Sequence, residues 1–352
     1  MLLYIHIPFC DSKCFYCAFN SYTSLHSLRD DYMKSLIVQL KDGLDKYKKP
    51  IETVFIGGGT PSTIKAVKYK EVMDVISPYL IDNCEITIEA NPNSASKKWL
   101  EEIFEIGINR VSFGVQSFDD KKLKFLGRNH NKSQAIEAIQ NAKEAGFENI
   151  NCDIIYDTQL DTKELLENDL SIIKNLPINH ISAYSLTIEE GTKFFNKSSV
   201  QVENEELARF LFNEFNSLGF SQYEISNFAK SKNARSKHNL GYWQYKEYLG
   251  VGSGAVGCMD NQRQYSQKDV EKYIQNPIEL EMYEELSEDD ILIEKILLGF
   301  RSVVGVDIST FDNVRKNKVD ILIQEEKVTK VNNMIYAKDF MLADELSLYL
   351  DI

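Results

Sequence analysis

The sequence predicts an α/β fold in which six parallel strands alternate with helices, followed by a small C-terminal α+β domain. Short apolar runs are followed by stretches with the apolar spacing of helices, the pattern of repeated β/α units. Three predicted helices end in a glycine and an apolar residue, at Gly107, Gly146 and Gly219, and each leads into a predicted strand. Polar residues collect just after the strands, where a barrel of β/α units builds its active site.

The elements follow one another in a regular order. Strands are predicted over residues 2–7, 53–56, 85–88, 110–115, 150–155 and 181–186. Helices are predicted over residues 29–44, up to about 79, from 96 to 107, and in segments up to 146. After Gly219 we expect a short strand over 222–225, a closely approached glycine-rich backbone over 250–254, a helix through 291–298 capped by Ser287 and Asp290, a hairpin at Asn332 and a final helix. The predicted domains are residues 1–280, with the β/α core ending near 220, and residues 281–352.

Composition limits the classes of function. Of the 352 residues, 43% are hydrophobic and 26% are charged, which is typical of a globular protein with a sizeable core. No apolar run is long enough to span a membrane, and the first nine residues lack the features of a signal peptide, so we expect a cytoplasmic protein. The net charge of −13 disfavours a large phosphate-binding surface, and we expect no nucleic-acid partner.

Three of the six cysteines lie within eight positions, at Cys10, Cys14 and Cys17. Three thiolates on one loop can converge on a metal centre and leave one coordination position for a small molecule. A disulfide framework is disfavoured by chain length and by the low cysteine content. A structural zinc site with His6 as fourth ligand remains an alternative, although the spacing differs from that of zinc ribbons.

Together with these cysteines, Gly57-Gly58-Gly59-Thr60-Pro61 after the second strand and Glu89 after the third resemble the radical S-adenosylmethionine (SAM) superfamily. The resemblance implies an incomplete (β/α) barrel. It also implies that the three cysteines hold a 4Fe-4S cluster whose fourth iron binds S-adenosylmethionine, and that one electron from the cluster yields a 5′-deoxyadenosyl radical. The cofactors carry this chemistry, while the protein orients and shields them.

The resemblance also implies a set of residues that contact the cofactor. They are Tyr4, Tyr16, Gly58, Gly59, Thr60, Glu89, Gln116, Arg128, Asp153, Thr187 and Val256. Glycine at 58 and 59 lets the backbone approach the methionine moiety. Glu89 suits an ammonium or a ribose hydroxyl, Gln116 and Asp153 suit the ribose, and Arg128 suits the methionine carboxylate.

Longer segments resemble the branch that contains oxygen-independent coproporphyrinogen oxidases, namely residues 110–118, 127–130 and 180–186. Residues 223–229 and 238–243 resemble the haem-chaperone members of that branch. This implies haem as bound cargo, delivered to apoproteins. His238, Tyr242 and Trp243 are candidate haem contacts, because imidazole can ligate iron and aromatic rings can cover a porphyrin face. A structural role for this segment is the alternative. A homodimer and a peripheral contact with membrane haem proteins are further expectations.

Two other functions stay open. The first is an oxygen-independent coproporphyrinogen III oxidase, which Phe19 disfavours because the oxidase has a further cysteine there; the short stretch before Cys10 also leaves no room for the oxidase's N-terminal arm. The second is a radical SAM enzyme that modifies RNA, which the acidic charge disfavours. Residues 157–160 depart from the Gly-Leu-Pro-Gly usual in the family, so we expect the loop near the ribose site to differ in shape.

Overall fold

The computed structural model of the protein describes residues 1–351, and strands alternate with helices throughout its first half. The strands are β1 (Leu2–Ile7), β2 (Ile51–Gly58), β3 (Leu80–Ala90), β4 (Arg110–Gln116), β5 (Asn149–Tyr156) and β6 (His180–Ser185). The helices are α1 (Arg29–Tyr47), α2 (Ala66–Ile76), α3 (Lys97–Glu105), α4 (Asp120–Leu126), α5 (Lys132–Ala145) and α6 (Lys163–Ile173). Neighbouring strands pair in parallel and in chain order, which confirms the predicted α/β class.

The second half extends the same sheet at both edges. Its elements are α7 (Glu205–Ser217), β7 (Ser221–Gln222), β8 (Asn227–Ala229), α8 (Lys237–Trp243), β9 (Tyr248–Val251), β10 (Val256–Met259), β11 (Gln262–Ser266), α9 (Val270–Gln275) and β12 (Leu280–Glu285). The twelve strands have the order β12-β11-β10-β9-β1-β2-β3-β4-β5-β6-β8-β7. Because β12 and β7 form the two edges, the barrel is incomplete.

Two predictions in this half need correction. β9 pairs in parallel with β1, so the parallel part has one strand more than the six predicted. The sequence does not indicate this strand, because Gly250 suggests a flexible loop. In the structure the glycine permits close packing of two strands, since a Cβ at Gly250 would lie 2.2 Å from the Val256 carbonyl oxygen of the neighbouring strand. The predicted strand 222–225 is instead a hairpin between β7 and β8, closed by the Tyr223 amide donating to the Asn227 carbonyl at 3.1 Å.

A second hydrophobic core lies in the C-terminal region. Its elements are α10 (Glu288–Phe300), β13 (Val306–Asp307), α11 (Asn313–Gln324), β14 (Val328–Val331), β15 (Met334–Ala337) and α12 (Ala343–Asp351). The capping box of Ser287 and Asp290 and the hairpin at Asn332 are confirmed. The domain boundary near residue 280 stays a prediction, and the pairing of β12 with β11 favours a division a few residues later.

The glycine caps position the strands as predicted. Gly107, Gly146 and Gly219 have φ values of +100°, +111° and +85°, so each ends its helix in the left-handed conformation. The chain then enters β4, β5 and β7, respectively, within a few residues.

The two faces of strands β3 to β6 differ in polarity. Their outward side chains are apolar and buried beneath the helices, as for Ile88, Phe113 and Ile154. Their inward side chains are mostly polar, and they are Thr87, Glu89, Arg110, Ser112, Gln116, Asn151, Asp153, His180, Ser182 and Tyr184. A barrel interior filled by branched apolar residues is a packed core. Here the polar inward faces surround a cavity instead.

Among residues 1–351, no helix combines the length and the apolar composition needed to cross a membrane.

Candidate cofactor site

One cavity of about 380 Å³ extends through the barrel, from the loops that follow the strands to the first residues of β4 and β6. The residues predicted from the sequence that line it are Cys10, Cys14, Tyr16, Cys17, Gly58, Gly59, Thr60, Glu89, Gln116, Arg128, Asp153 and Thr187. The fold therefore brings into one cavity side chains that are far apart in the chain.

The three cysteines on the loop after β1 are all free and face this cavity. The Thr60 hydroxyl donates to Cys10 Sγ at 3.3 Å, and Arg128 Nη1 donates to Cys14 Sγ at 3.2 Å. Burial raises the pKa of the Cys10 and Cys17 thiols. Thiolates are the ligands of iron–sulfur clusters, and the donors aimed at Cys10 and Cys14 would stabilise the thiolate charge. Within residues 1–351, no three side chains of ligand type are close enough together to hold one metal ion.

The glycine loop after β2 is constrained by contacts within the protein. Gly58 has φ +110°, and a Cβ built there would lie 2.4 Å from the His6 ring. A Cβ at Gly59 would lie 2.8 Å from the carbonyl oxygens of Ile7 and Phe9. The predicted approach of a ligand to the backbone is therefore not the only reason for glycine here, since the strand β1 and the cysteine loop already fill the space.

Replacing Gly58 with alanine is expected to lower the free energy of unfolding by about 1–3 kcal/mol, because the residue would keep an unfavourable φ and collide with His6. Urea denaturation would measure it. Gly191→Ala is the matched control, since Gly191 has φ +81° but no atom within 4 Å of the added Cβ. Equal losses in the two variants would show that the contact with His6 is unimportant.

Two carboxyl groups face the cavity from adjacent regions of the barrel wall. Burial and the nearby Asp153 carboxylate raise the pKa of Glu89 to about 8. A hydrogen bond from the Gly58 amide at 3.0 Å acts in the opposite direction and lowers this pKa. Burial also raises the pKa of Asp153 to about 6, although hydrogen bonds from Asn151 and Ser112 favour its ionised form. At pH 7 Asp153 is therefore mainly ionised, whereas Glu89 is mainly protonated and would lose its proton when a cation enters the cavity.

Gln116 ends β4 in a strained conformation that holds its side chain in the cavity. Its φ is +72°, and its buried Oε1 has no hydrogen-bond partner within the described chain. The following turn is fixed by Asp169, which accepts hydrogen bonds from the Ser117 hydroxyl and the Phe118 amide, both at 2.8 Å. Such strain is typical of ligand-binding positions, and an unpaired acceptor suits a ribose hydroxyl.

Arg128 is held by protein groups. Besides Cys14, it donates to Asn91 Oδ1 at 2.6 Å and to the Gly114 carbonyl at 2.5 Å. Asn91 was missed by sequence reasoning, and it also donates to the Thr60 hydroxyl at 3.0 Å. The sequence feature that could have identified Asn91 is its position directly after β3, close to Glu89. Asn91 therefore links the glycine loop to the arginine.

Two residues predicted to contact the cofactor, Tyr4 and Val256, do not line the cavity. Tyr4 lies behind it: its hydroxyl pairs with His6 Nδ1 at 2.9 Å, and its ring stacks on Phe55. Val256 begins β10, where its carbonyl oxygen packs against Gly250. Motif matching cannot separate a residue that lines the site from one that supports it.

The candidate haem residues lie on α8, below the cavity. His238 is 1% exposed, and its ring nitrogens pair with Thr53 Oγ1 at 2.8 Å and with the Tyr242 hydroxyl at 3.0 Å. Burial lowers the pKa of His238 to about 3, so the ring is neutral. Trp243 Nε1 is buried without a partner in the described chain. In this arrangement both ring nitrogens of His238 are occupied, which favours the structural role for this segment, and a haem contact stays a prediction.

The departure from the family pattern at residues 157–160 is accommodated by Asp157. This residue has φ +63°, a conformation that favours glycine. Its carboxylate accepts hydrogen bonds from the Ser185 hydroxyl at 2.7 Å and from the Asn204 amide at 3.2 Å. Aspartate tolerates the left-handed region, and these bonds hold the loop.

The fold and the cavity are those of a radical SAM protein, and the family model described as "Radical SAM superfamily" matches residues 4–183. The Heme chaperone HemW of Bacillus subtilis (strain 168) is 35% identical over 323 residues, covering 88% of this chain and 85% of that protein. The Heme chaperone HemW of Lactococcus lactis subsp. lactis (strain IL1403) is 32% identical over 348 residues, covering 96% and 90%. The chain belongs to the radical SAM superfamily and, within it, to the family of the HemW proteins.

A solved structure supports the fold over the full length. The coproporphyrinogen III oxidase HemN from Escherichia coli matches with a TM-score of 0.85, covering 99% of this chain and 89% of that one. At 19% identity, this similarity shows the shared fold alone.

Proposed function

We propose that the protein is a haem chaperone that binds a 4Fe-4S cluster, S-adenosylmethionine and haem, and delivers haem to apoproteins. The observation that carries the proposal is that the Heme chaperone HemW proteins of Bacillus subtilis and Lactococcus lactis match this chain over 85% and 90% of their own lengths. A location in the cytoplasm, a homodimer and a peripheral contact with membrane haem proteins are parts of the same proposal. We expect no nucleic-acid partner, given the net charge of −13.

The cavity supports the cofactor part of the proposal. Cys10, Cys14 and Cys17 would hold the cluster, and Arg128 and Thr60 would donate to its thiolates. Glu89 and Asp153 would attract the positive charges of S-adenosylmethionine, and Gln116 would accept from its ribose. When bound and reduced, the cluster supplies the electron for cleavage of the sulfonium.

A coproporphyrinogen III oxidase is the second candidate, because the fold is shared with HemN. Phe19 argues against it: it stands where the oxidase has a further cysteine, lines the cavity and is 69% exposed. We therefore expect no conversion of coproporphyrinogen III to protoporphyrinogen IX by the reconstituted protein under anaerobic conditions with dithionite and S-adenosylmethionine. Formation of that product would refute the chaperone function and assign the oxidase function instead.

Haem titration tests the main proposal. Reconstituted protein is expected to bind haem, seen by its Soret absorbance, and to pass it to apomyoglobin at a rate that rises with apomyoglobin concentration, as direct transfer requires. RNA binding at a stated salt concentration, measured in parallel, is expected to be absent. Protein that shows no saturable haem binding, or that transfers haem to apomyoglobin at one rate whatever the apomyoglobin concentration, would refute the chaperone function. Formation of 5′-deoxyadenosine, with and without haem, would show whether S-adenosylmethionine is cleaved.

A further inference from the structure

Three side chains form a row at the inner end of the cavity, beyond the residues proposed to bind the cofactor. Phe55 on β2, Thr87 on β3 and Arg110 on β4 are register partners on neighbouring strands, and all three line the cavity. We call these three residues the inner row. Glu89 follows Thr87 by two residues on β3, a rise of about 7 Å along the strand. A small molecule on the inner row would therefore lie one layer of side chains away from Glu89.

The inner row contains two polar atoms that the protein leaves without partners. Arg110 Nη2 and Thr87 Oγ1 are buried and lack a hydrogen-bond partner among residues 1–351. The two residues are 2% and 1% exposed, respectively. A buried polar group without a partner destabilises a protein, and a ligand that pairs with it recovers this free energy. Both atoms can donate a hydrogen bond, so the inner row is suited to an acceptor oxygen.

The guanidinium group of Arg110 is held in place by its other terminal nitrogen. Nη1 donates to the Ala234 carbonyl at 2.9 Å and lies 3.7 Å from Glu85 Oε2. These contacts fix the side chain without using Nη2. A donor that is already fixed loses little conformational entropy when a ligand binds, so the inner row is preorganised.

The charges around the inner row favour a neutral ligand. Glu85 is 5% exposed and balances the positive charge of Arg110. Asp153 adds a further carboxylate one layer above, where it accepts a hydrogen bond from Ser112 at 3.4 Å. A carboxylate ligand would bring an unbalanced negative charge into this buried site, which is unfavourable. A neutral carbonyl oxygen accepts the same hydrogen bonds without that cost, and the Phe55 ring offers an apolar surface to the rest of the molecule.

We infer that the inner row is a binding subsite for a neutral organic molecule with a carbonyl oxygen and a flat apolar body, such as an amide. Arg110 and Thr87 donate to the oxygen, and Phe55 packs against the apolar part. The inference goes beyond haem delivery, because it gives the cavity a second small-molecule ligand beside S-adenosylmethionine.

Benzamide and benzoate are suitable probes, because they have the same size and differ in charge. Each is titrated at pH 7 into the reconstituted full-length protein, and binding is followed by calorimetry. Benzamide is expected to bind saturably at millimolar concentrations. Benzoate is expected to bind at least about tenfold more weakly, because its carboxylate remains unbalanced in the buried site.

Thr87→Val removes the unpaired hydroxyl and keeps the shape of the side chain. It is expected to weaken benzamide binding by about three- to tenfold, the effect of one hydrogen bond. The ligand-free variant should unfold at the same or a higher urea concentration than the wild type, because no hydrogen bond within the protein is lost. Thr158→Val is the matched control: this buried hydroxyl donates to Asp161 at 3.0 Å and does not line the cavity. The control should lose stability and bind benzamide like the wild type.

Arg110→Lys is the second variant, because lysine keeps the positive charge beside Glu85 and lacks the Nη2 donor. It is expected to weaken benzamide binding by about tenfold or more, since a hydrogen bond from a charged group is lost. Circular dichroism verifies that each variant is folded. Thr87→Val decides alone if Arg110→Lys does not fold.

The outcomes separate this subsite from the proposed function. Benzamide binding that Thr87→Val weakens without loss of stability supports the subsite. Equal affinities for benzoate and benzamide, or a benzamide affinity that neither variant changes, overturn the inference. Wild-type protein without saturable benzamide binding also overturns it and assigns the two polar atoms to water alone. Haem titration of the same samples tests the proposed function separately, since a protein that binds benzamide but no haem would refute the chaperone function and leave the subsite standing.

Discussion

Replacing Cys14 with alanine is expected to abolish the iron–sulfur absorbance of anaerobically reconstituted protein and to reduce bound iron to near zero. Three thiolates are the only cysteine ligands that this cavity offers, so removing one leaves too few to hold a cluster. The variant also leaves Arg128 Nη1 without its sulfur partner, so a charged donor remains in the buried site. Iron and sulfide analysis, with the visible spectrum, measures the loss.

Cys258→Ala is the matched control for this prediction. Cys258 is a half-buried free cysteine on β10 that does not line the cavity. It should therefore leave iron content unchanged. A Cys14→Ala protein that retains the wild-type iron and spectrum would exclude the cluster assignment. A colourless wild-type protein that carries stoichiometric zinc would favour the zinc alternative instead.

The sequence predicted the upper part of the site because its signals are local. Cys10, Cys14 and Cys17 are close in sequence, so their spacing alone indicates a shared centre. Glu89 and Asp153 lie in the second halves of parallel strands, and the carboxyl ends of such strands meet at one edge of the barrel. The glycine caps before β4 and β5 were also visible, since they depend on a few neighbouring residues.

The lower part could not be predicted, because its contacts join residues distant in sequence. His238 looks like a ligand in a motif, and only the fold shows that Thr53 occupies it. The alternation that makes the interior polar was present in the strands, for example Arg110, Ser112 and Gln116 in β4. Interpreting these segments as apolar strands predicted the correct fold, but it did not reveal that their inward side chains surround a polar cavity.

Binding of S-adenosylmethionine at pH 7 is expected to release close to one proton from the protein. Burial keeps the pKa of Glu89 at about 8 without ligand, so the carboxyl is mainly protonated at pH 7. A bound sulfonium or ammonium favours the carboxylate and lowers that pKa. Affinity should therefore rise with pH, by up to about tenfold per unit, and level off above about pH 8. Calorimetry in two buffers with different ionisation enthalpies counts the released protons.

Ionisation of Glu89, which favours ligand binding, lowers the stability of the unliganded protein. Because its folded pKa lies above the ordinary value of 4.5, the folded state binds the proton more tightly than the unfolded state does. Ionising Glu89 thus opposes folding, so its contribution falls as pH rises from about 4.5 to 8. Glu89→Gln should remove this pH dependence and weaken ligand binding by about 1.5–3 kcal/mol, the value of a hydrogen bond to a charged group.

Asp153 provides an internal test of which carboxyl is responsible. Its pKa of about 6 makes it mainly ionised at pH 7, so it can contribute little to proton release there. Glu89→Gln should therefore eliminate the release at pH 7, whereas the control Glu190→Gln, an exposed position after β6 that does not line the cavity, should retain it. Undiminished proton release in Glu89→Gln would mean that another group faces the cation. Release that is small at pH 7 and grows towards pH 6 would assign the role to Asp153.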